Sequence, residues 1–251
     1  MRILLSALLL FLTLTVSAEP KLVVVGGATN IRSGQTETSA LVATVEDGEF
    51  LYCEWTDTER VTCRAQKWQN GSQVEGYVLR NTLQPVDTLD TESRKRLIEK
   101  VLKKQKELAE RSRKTDVNDP LAHKATVSEL EKYSETKYDP ILGILPKHFC
   151  LTKDVSLLRS FLETKLADGG SADETPSDAI GECYICEPAI VLEQILQIKS
   201  KEQRSSLYDS IAFGLMNSYH RISGKDYATN GEYKKLKKRL DDEKKRDKKQ
   251  K

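Results

Sequence analysis

Asn30-Ile31-Arg32-Ser33-Gly34, followed by Gly48-Glu49 and later by Gly76-Tyr77-Val78, decides how the front of this chain is read. Around these glycines the sequence is a series of short apolar or alternating runs. Residues 21–25 are rich in valine, residues 40–45 alternate weakly, and residues 50–55 and 60–65 flank the polar turn Thr56-Asp57-Thr58-Glu59. Asn70-Gly71 separates Lys67-Trp68-Gln69 from residues 73–79, and both of its residues tolerate the positive φ of a tight hairpin. Pro85 ends the pattern. Several short strands at this spacing predict a small β-barrel over residues 21–86.

The order and spacing of Asn30 to Gly34, Gly48-Glu49 and Gly76-Tyr77-Val78 resembles the bacterial SH3-like domain. That resemblance covers about a quarter of the chain. It implies a small β-barrel in an exported cell-envelope protein, with a job of binding rather than chemistry. It also implies a groove beside the first long loop that holds peptides or wall fragments. Tyr52, Trp55, Trp68 and Tyr77 are concentrated here and suit such a groove, since an aromatic ring gives apolar contact with a polar handle. By alternation Tyr52 and Trp55 point to opposite faces, so at most one of them faces the groove. Asn30 and Arg32 match the family motif and are expected to order the loop. The family's Gly-Trp-Val ending stands here as Gly76-Tyr77-Val78. The longer insertion around residues 56–75 departs from the simplest family pattern, beside the surface on which relatives bind.

There are five cysteines, Cys53, Cys63, Cys150, Cys183 and Cys186, so at least one is free or bonds outside the chain. If the hairpin after residue 55 centres on Thr58, Cys53 and Cys63 lie directly opposite each other. A non-hydrogen-bonded cross-strand pair brings Cα atoms to about 4.5 Å, near the lower limit for a disulfide. A Cys53–Cys63 bond is therefore expected, and it would brace a barrel whose core is marginal at this size. Cys150 is expected to bond Cys183 or Cys186, with Cys150–Cys186 slightly favoured.

Several residues could carry chemistry, and each has a plainer reading. Cys183-Tyr184-Ile185-Cys186 has the spacing of a thiol-exchange motif. Its flanks are helical in pattern, however, and Glu182 disfavours a nearby thiolate. His148, Cys150, Cys183 and Cys186 have the ligand types of a zinc site, but exported thiols oxidise and His-x-Cys is a weak spacing. A Cys/His wall hydrolase wants its nucleophile after an Asp, whereas Cys150 follows Phe149; the histidines are His123, His148 and His220. Gly26-Gly27 reads as a strand-end kink and not a phosphate loop. No catalytic residue, metal or cofactor is expected from these patterns.

The ends set the compartment. Met1-Arg2 precedes an apolar run over residues 3–16, and Val16-Ser17-Ala18 supplies small residues for cleavage. This reads as a secretory signal over residues 1–18, too short for a comfortable membrane span. The net charge of +2 hides an asymmetry: residues 234–251 hold eleven Lys/Arg against four Asp/Glu, or +7, which leaves about −5 elsewhere. That basic tail is read as solvated, with anionic lipid, cell-wall polymer or nucleic acid as its possible contacts. Export argues against nucleic acid as the normal partner.

Behind the barrel the pattern turns helical. Asp90 reads as an N-cap for a connecting helix over residues 90–112, with a stripe from Leu97 to Ala109. Residues 113–125 read as a linker. Thr126-Val127-Ser128-Glu129 has the form of a capping box that opens an α-helical domain over residues 126–233. Asp139-Pro140, Gly143 and Pro146 break it, and residues 169–178 read as an acidic loop. The expected fold class is α+β: an SH3-like barrel followed by a mainly α-helical region. The expected function is a periplasmic or secreted, non-enzymatic binding or adaptor protein. Its barrel would contact peptidoglycan or an envelope protein, with no membrane span after signal cleavage. The alternatives are a cell-wall hydrolase or thiol oxidoreductase using the helical region, and a periplasmic inhibitor or immunity-type protein. For the last, Cys186-Glu187-Pro188 before two helices is a weak match.

Overall fold

Valine-rich and alternating segments pair into one antiparallel sheet, and the chain then continues as helices. The computed structural model describes residues 20–54, 62–69, 71–168, 174–223 and 230–249. The expected signal peptide, Trp55, the turn at residues 56–59 and Asn70 lie outside the described residues. The strands are β1 (Lys21–Val25), β2 (Thr29–Arg32), β3 (Leu41–Val45), β4 (Phe50–Glu54), β5 (Thr62–Gln69), β6 (Ser72–Leu79) and β7 (Leu83–Pro85). Their order in the sheet is β3-β2-β6-β5-β4-β1-β7. The fold class is α+β. The sheet is not closed, however: among the described residues the end strands β3 and β7 do not pair with each other. β7 is only three residues long and ends on Pro85, which has no N–H to extend a ladder.

β1 explains why its run is continuously apolar. Val23 and Val25 point into a core shared with Ile31, Val45, Leu51 and Val78. Leu22 and Val24 turn the other way and pack, with Phe50, against the helices. A strand covered on both faces has no polar side to show.

The register differs from expectation at the cysteines. Cys53 stands opposite Ala65 and Glu54 opposite Arg64, so the partner of Cys53 across the strands lies two residues beyond the expected Cys63. Cys53 and Cys63 are therefore diagonal neighbours. They nevertheless form a disulfide, with Cα atoms 5.8 Å apart, and both are buried. Facing the same side of the sheet was enough for bonding.

The helices are α1 (Thr91–Lys114), α2 (Pro120–Tyr133), α3 (Asp139–Leu142), α4 (Leu145–Thr152), α5 (Val155–Asp168), α6 (Thr175–Cys186), α7 (Pro188–Leu196), α8 (Lys201–Ser223) and α9 (Gly231–Lys249). Asp90 caps α1 as expected, accepting from Ser93 N at 2.8 Å. Residues expected to form a linker instead start α2. Asp119 is its N-cap, accepting from Ala122 N at 3.1 Å, and Pro120 occupies the first turn. Pro tolerates that position because its missing N–H is an orphan there anyway. Thr126 sits inside the helix, donating back to Ala122 O and His123 O, so no capping box forms. Pro140 and Pro146 likewise open α3 and α4 and do not end helical structure. A π-helical turn, Ser134–Tyr138, joins α2 to α3. Of the expected acidic loop, residues 169–173 lie outside the described residues, and Thr175-Pro176 already opens α6.

One apolar core runs through α1 and α3 to α9 and reaches Phe50 and Val86 of the sheet region. The sheet is held to the helices by polar contacts at the β3–β4 turn and the β5–β6 turn. Lys132 Nζ bonds Glu46 Oε1 at 2.6 Å, Lys137 Nζ donates to Asp47 O at 3.0 Å, and Gly71 N donates to Glu135 Oε1 at 3.2 Å. The basic C-terminal stretch, expected to have little to bury, forms α9 and buries Tyr233, Leu240 and Asp247.

Candidate functional site

The two glycine-bearing stretches that stand out in the sequence meet in space. Arg32 of β2 pairs with Tyr77 of β6. A Cβ on Gly76 would sit 2.5 Å from Ile31 Cγ2 and closer still to Arg32 O, so β2 lies on β6 only because residue 76 has no side chain. The loop beyond β2 is braced from inside. Arg32 Nη1 donates to Ser39 O at 2.8 Å, Ser33 N donates to Ala40 O at 2.9 Å, and Thr36 Oγ1 shares a 2.8 Å hydrogen bond with Ser39 Oγ. Arg32 thus orders the loop as expected. Asn30 makes no side-chain hydrogen bond among the described residues and is exposed.

Beside this loop lies a groove of about 380 Å³, lined by Asn30, Arg32, Gln35, Thr36, Tyr77 and Leu79 among others. Tyr77 is half-buried and stands between Arg32 on β2 and Arg64 on β5. The groove therefore offers one aromatic ring, one guanidinium, the Glu37 carboxylate and several neutral hydrogen-bonding groups. That balanced set suits a neutral chain such as a peptide or glycan.

The other expected groove residues are placed elsewhere or not described. Tyr52 shares a sheet face with Tyr77, through the pairs Tyr52–Gln66, Gln66–Glu75 and Arg64–Tyr77, but lies two strands away on β4, beside Leu22 of β1. It lines a separate cleft of about 460 Å³ between sheet and helices, with Leu22, Val86, Pro140, Ile144 and Lys147. Burial and the nearby Asp139 carboxylate push its phenol up from the ordinary value. Trp68 is in β5 opposite Gln73; its side chain lies outside the described residues. Of the four aromatics, the loop groove takes Tyr77, and Tyr52 belongs to the sheet–helix cleft.

The cysteines of the helical region do not make a reactive pair. Cys150 bonds Cys186, with Cα atoms 5.9 Å apart, tying α4 to the end of α6. Cys183 is buried, and burial pushes its thiol far up. The Cys-x-x-Cys motif falls in the last turn of α6, where the helix dipole disfavours a thiolate, and not at a helix start. Among the described residues no group of three His, Cys, Asp or Glu is placed to hold a metal ion.

His148, expected only as a weak ligand, is a buried residue of α4 whose Nε2 has no partner among the described residues. Burial, then Arg94 and Lys95, lower its pKa below 6.5, against the pull of Asp154. The unfolded chain therefore takes up a proton that the native state refuses. Stability is full above about pH 6.5 and falls as the pH drops below it, by at most about 1.4 kcal/mol per pH unit. Urea unfolding across that range should show this loss, and His148→Gln should flatten it; an unchanged slope in the variant would remove His148 as the cause. Asp154 acts in a lower window. Burial alone would raise its carboxyl, but hydrogen bonds from Lys95, Ser156 Oγ and Leu157 N outweigh that and hold it well below the usual range. Its contribution is lost only as the pH falls through the carboxylate range.

Comparison with protein-family models, with curated proteins and with solved structures returns no match to this chain.

Proposed function

We propose that this is an exported, non-enzymatic binding or adaptor protein of the bacterial envelope, with an SH3-like sheet that contacts peptidoglycan or an envelope protein. The observation that carries the reading is the groove beside residues 33–40, with Tyr77 and Arg32 in its wall and Asn30 exposed at its side. The loop is braced by its own hydrogen bonds, so a ligand meets a largely preformed surface and little binding energy goes into ordering it. Two disulfides fit an oxidising compartment. Enzymatic readings have less support. The thiol oxidoreductase would need an accessible Cys183–Cys186 pair, and a Cys hydrolase would need a free Cys150.

Co-sedimentation with purified sacculi tests the wall-binding form. Wild-type protein should be retained, and Tyr77→Ser should weaken retention roughly ten-fold, as loss of a central aromatic anchor does. Asn30→Ala, at an exposed position, should weaken it less and leave the thermal melt unchanged. No retention of wild type removes peptidoglycan as the ligand and leaves a protein partner for the groove.

A further inference from the structure

The C-terminal helix separates its charges by face. α9 carries ten basic and five acidic residues. Three of its carboxylates are engaged by cations: Asp247 is buried against Arg204 at 2.8 Å, Asp241 is paired with Lys237 at 3.4 Å, and Glu243 with Arg246 at 3.3 Å. Lys244 is engaged too, by Asp209 of α8. Lys234, Lys235, Lys238, Arg239, Lys245 and Lys249 are all exposed, and no carboxylate among the described residues pairs with them. At 3.6 residues per turn, Lys234, Lys238, Lys245 and Lys249 fall within an arc of about 60°, along about 22 Å of helix. Asp241 and Asp242 flank this arc near its middle. The arc lies opposite Tyr233, Leu240 and Asp247, the residues that bury α9 against the body. The helix is thus anchored on one side and presents a firm cationic ridge on the other. A fraying tail would have no such fixed face.

We infer that this ridge docks the protein on the surface of a membrane rich in anionic lipid. The partner must offer many negative groups in a plane, because the ridge is convex and the cleft beside it, between α7 and α9, takes in only Lys238 of its four lysines. It carries no exposed aromatic ring for base stacking, Tyr233 being buried. A duplex major groove admits a free helix of about its own width, whereas α9 lies with its inner face against α7 and α8 and cannot be enclosed from both sides. A lipid headgroup plane needs only one side. Attraction of this kind is worth about a five-fold change in affinity per lysine at the surface, and is screened by salt.

The test is sedimentation of the full chain with vesicles of phosphatidylcholine and phosphatidylglycerol in equal parts, beside vesicles of phosphatidylcholine alone. Binding is expected to the anionic vesicles only, and to fall steeply as salt is raised. The combined variant Lys234→Glu, Lys238→Glu, Lys245→Glu, Lys249→Glu should lose it by more than about a hundred-fold, with its thermal melt checked against wild type. If that variant melts early, Lys238→Gln with Lys245→Gln replaces it, with about a twenty-five-fold loss expected. Equal binding to both vesicles, no binding to the anionic ones, or variant binding as tight as wild type would overturn the inference. Tighter binding to duplex DNA than to anionic vesicles at the same salt would overturn the membrane as the occupant.

Discussion

Gly214→Ala is expected to destabilise the helical region by about 2–4 kcal/mol, read as a lower urea midpoint. In an isolated helix the same change would stabilise, since alanine is favoured over glycine by about 1 kcal/mol. Packing reverses the sign. A Cβ on Gly214 of α8 would sit 2.5 Å from Ser177 C of α6 and closer still to Ser177 O. From the other side, a Cβ on Gly181 would sit 2.6 Å from Gly214 O and closer still to Gly214 C. The obstacle is backbone in both directions, so no side chain can swing aside and the helices must part. Parting them loosens Ile180 and Cys183 of α6 from Leu207, Ile211 and Leu215 of α8, all of them buried in one core. It also breaks the hydrogen bond from Ser218 Oγ to Asp178 O, 3.1 Å long. Gly181→Ala should cost a similar amount, and the double variant less than the sum, because one separation accommodates both methyl groups. A midpoint that rises in Gly214→Ala would mean that the two helices do not touch here.

The second large effect is expected in the sheet. Lys67 Nζ and Glu49 Oε2 are 2.8 Å apart, with side chains only 6% and 2% exposed. Glu49 also accepts from Glu46 N at 3.2 Å, at the turn whose Glu46 and Asp47 hold the helices. Lys67→Met leaves a carboxylate buried without its cation, which costs about 3–5 kcal/mol. Lys67→Met with Glu49→Leu removes both charges and should recover most of that loss, since a buried pair is often matched by apolar residues of like volume. Equal losses in the single and double variants would show that the cost lies in packing and not in the orphaned charge. Backbone amides of residues 46–49 should exchange faster in the single variant, because the docking turn loses its support.

Much of the chain is legible in its sequence because the signals are local. Asp90 and the stripe from Leu97 to Ala109 mark α1, and Gly48 takes a left-handed φ of 70° at the turn before β4. The start of α2 is hidden, because Asp119-Pro120 reads equally as a turn and as a cap with proline in the first helical turn; the hydrogen bond from Ala122 N to the Asp119 carboxylate marks the cap. Lys67 is unremarkable in the sequence, since a lysine in a strand is ordinarily solvated. Gly181 and Gly214 carry a usable sign: an isolated glycine inside a helical pattern costs helix stability and so points to a packing reason.

By itself the sequence determined the α+β class, the order of strands before helices, the pairing of Cys53 with Cys63 and the glycine motif that lets β2 lie on β6. Each rests on backbone preference, periodicity or cysteine spacing, which act over a few residues or within one hairpin. Tertiary structure decided between the two partners open to Cys150, taking the slightly favoured Cys186 and leaving Cys183 buried, and it alone decided that the sheet stays open and that Tyr77 and Tyr52 line different clefts. It also decided that Lys67 is buried on Glu49 and that α9 is anchored with its lysines outward. Those outcomes depend on which distant surfaces meet. A side chain's partner across the core is set by the packing of the whole chain, and no short stretch of residues encodes it.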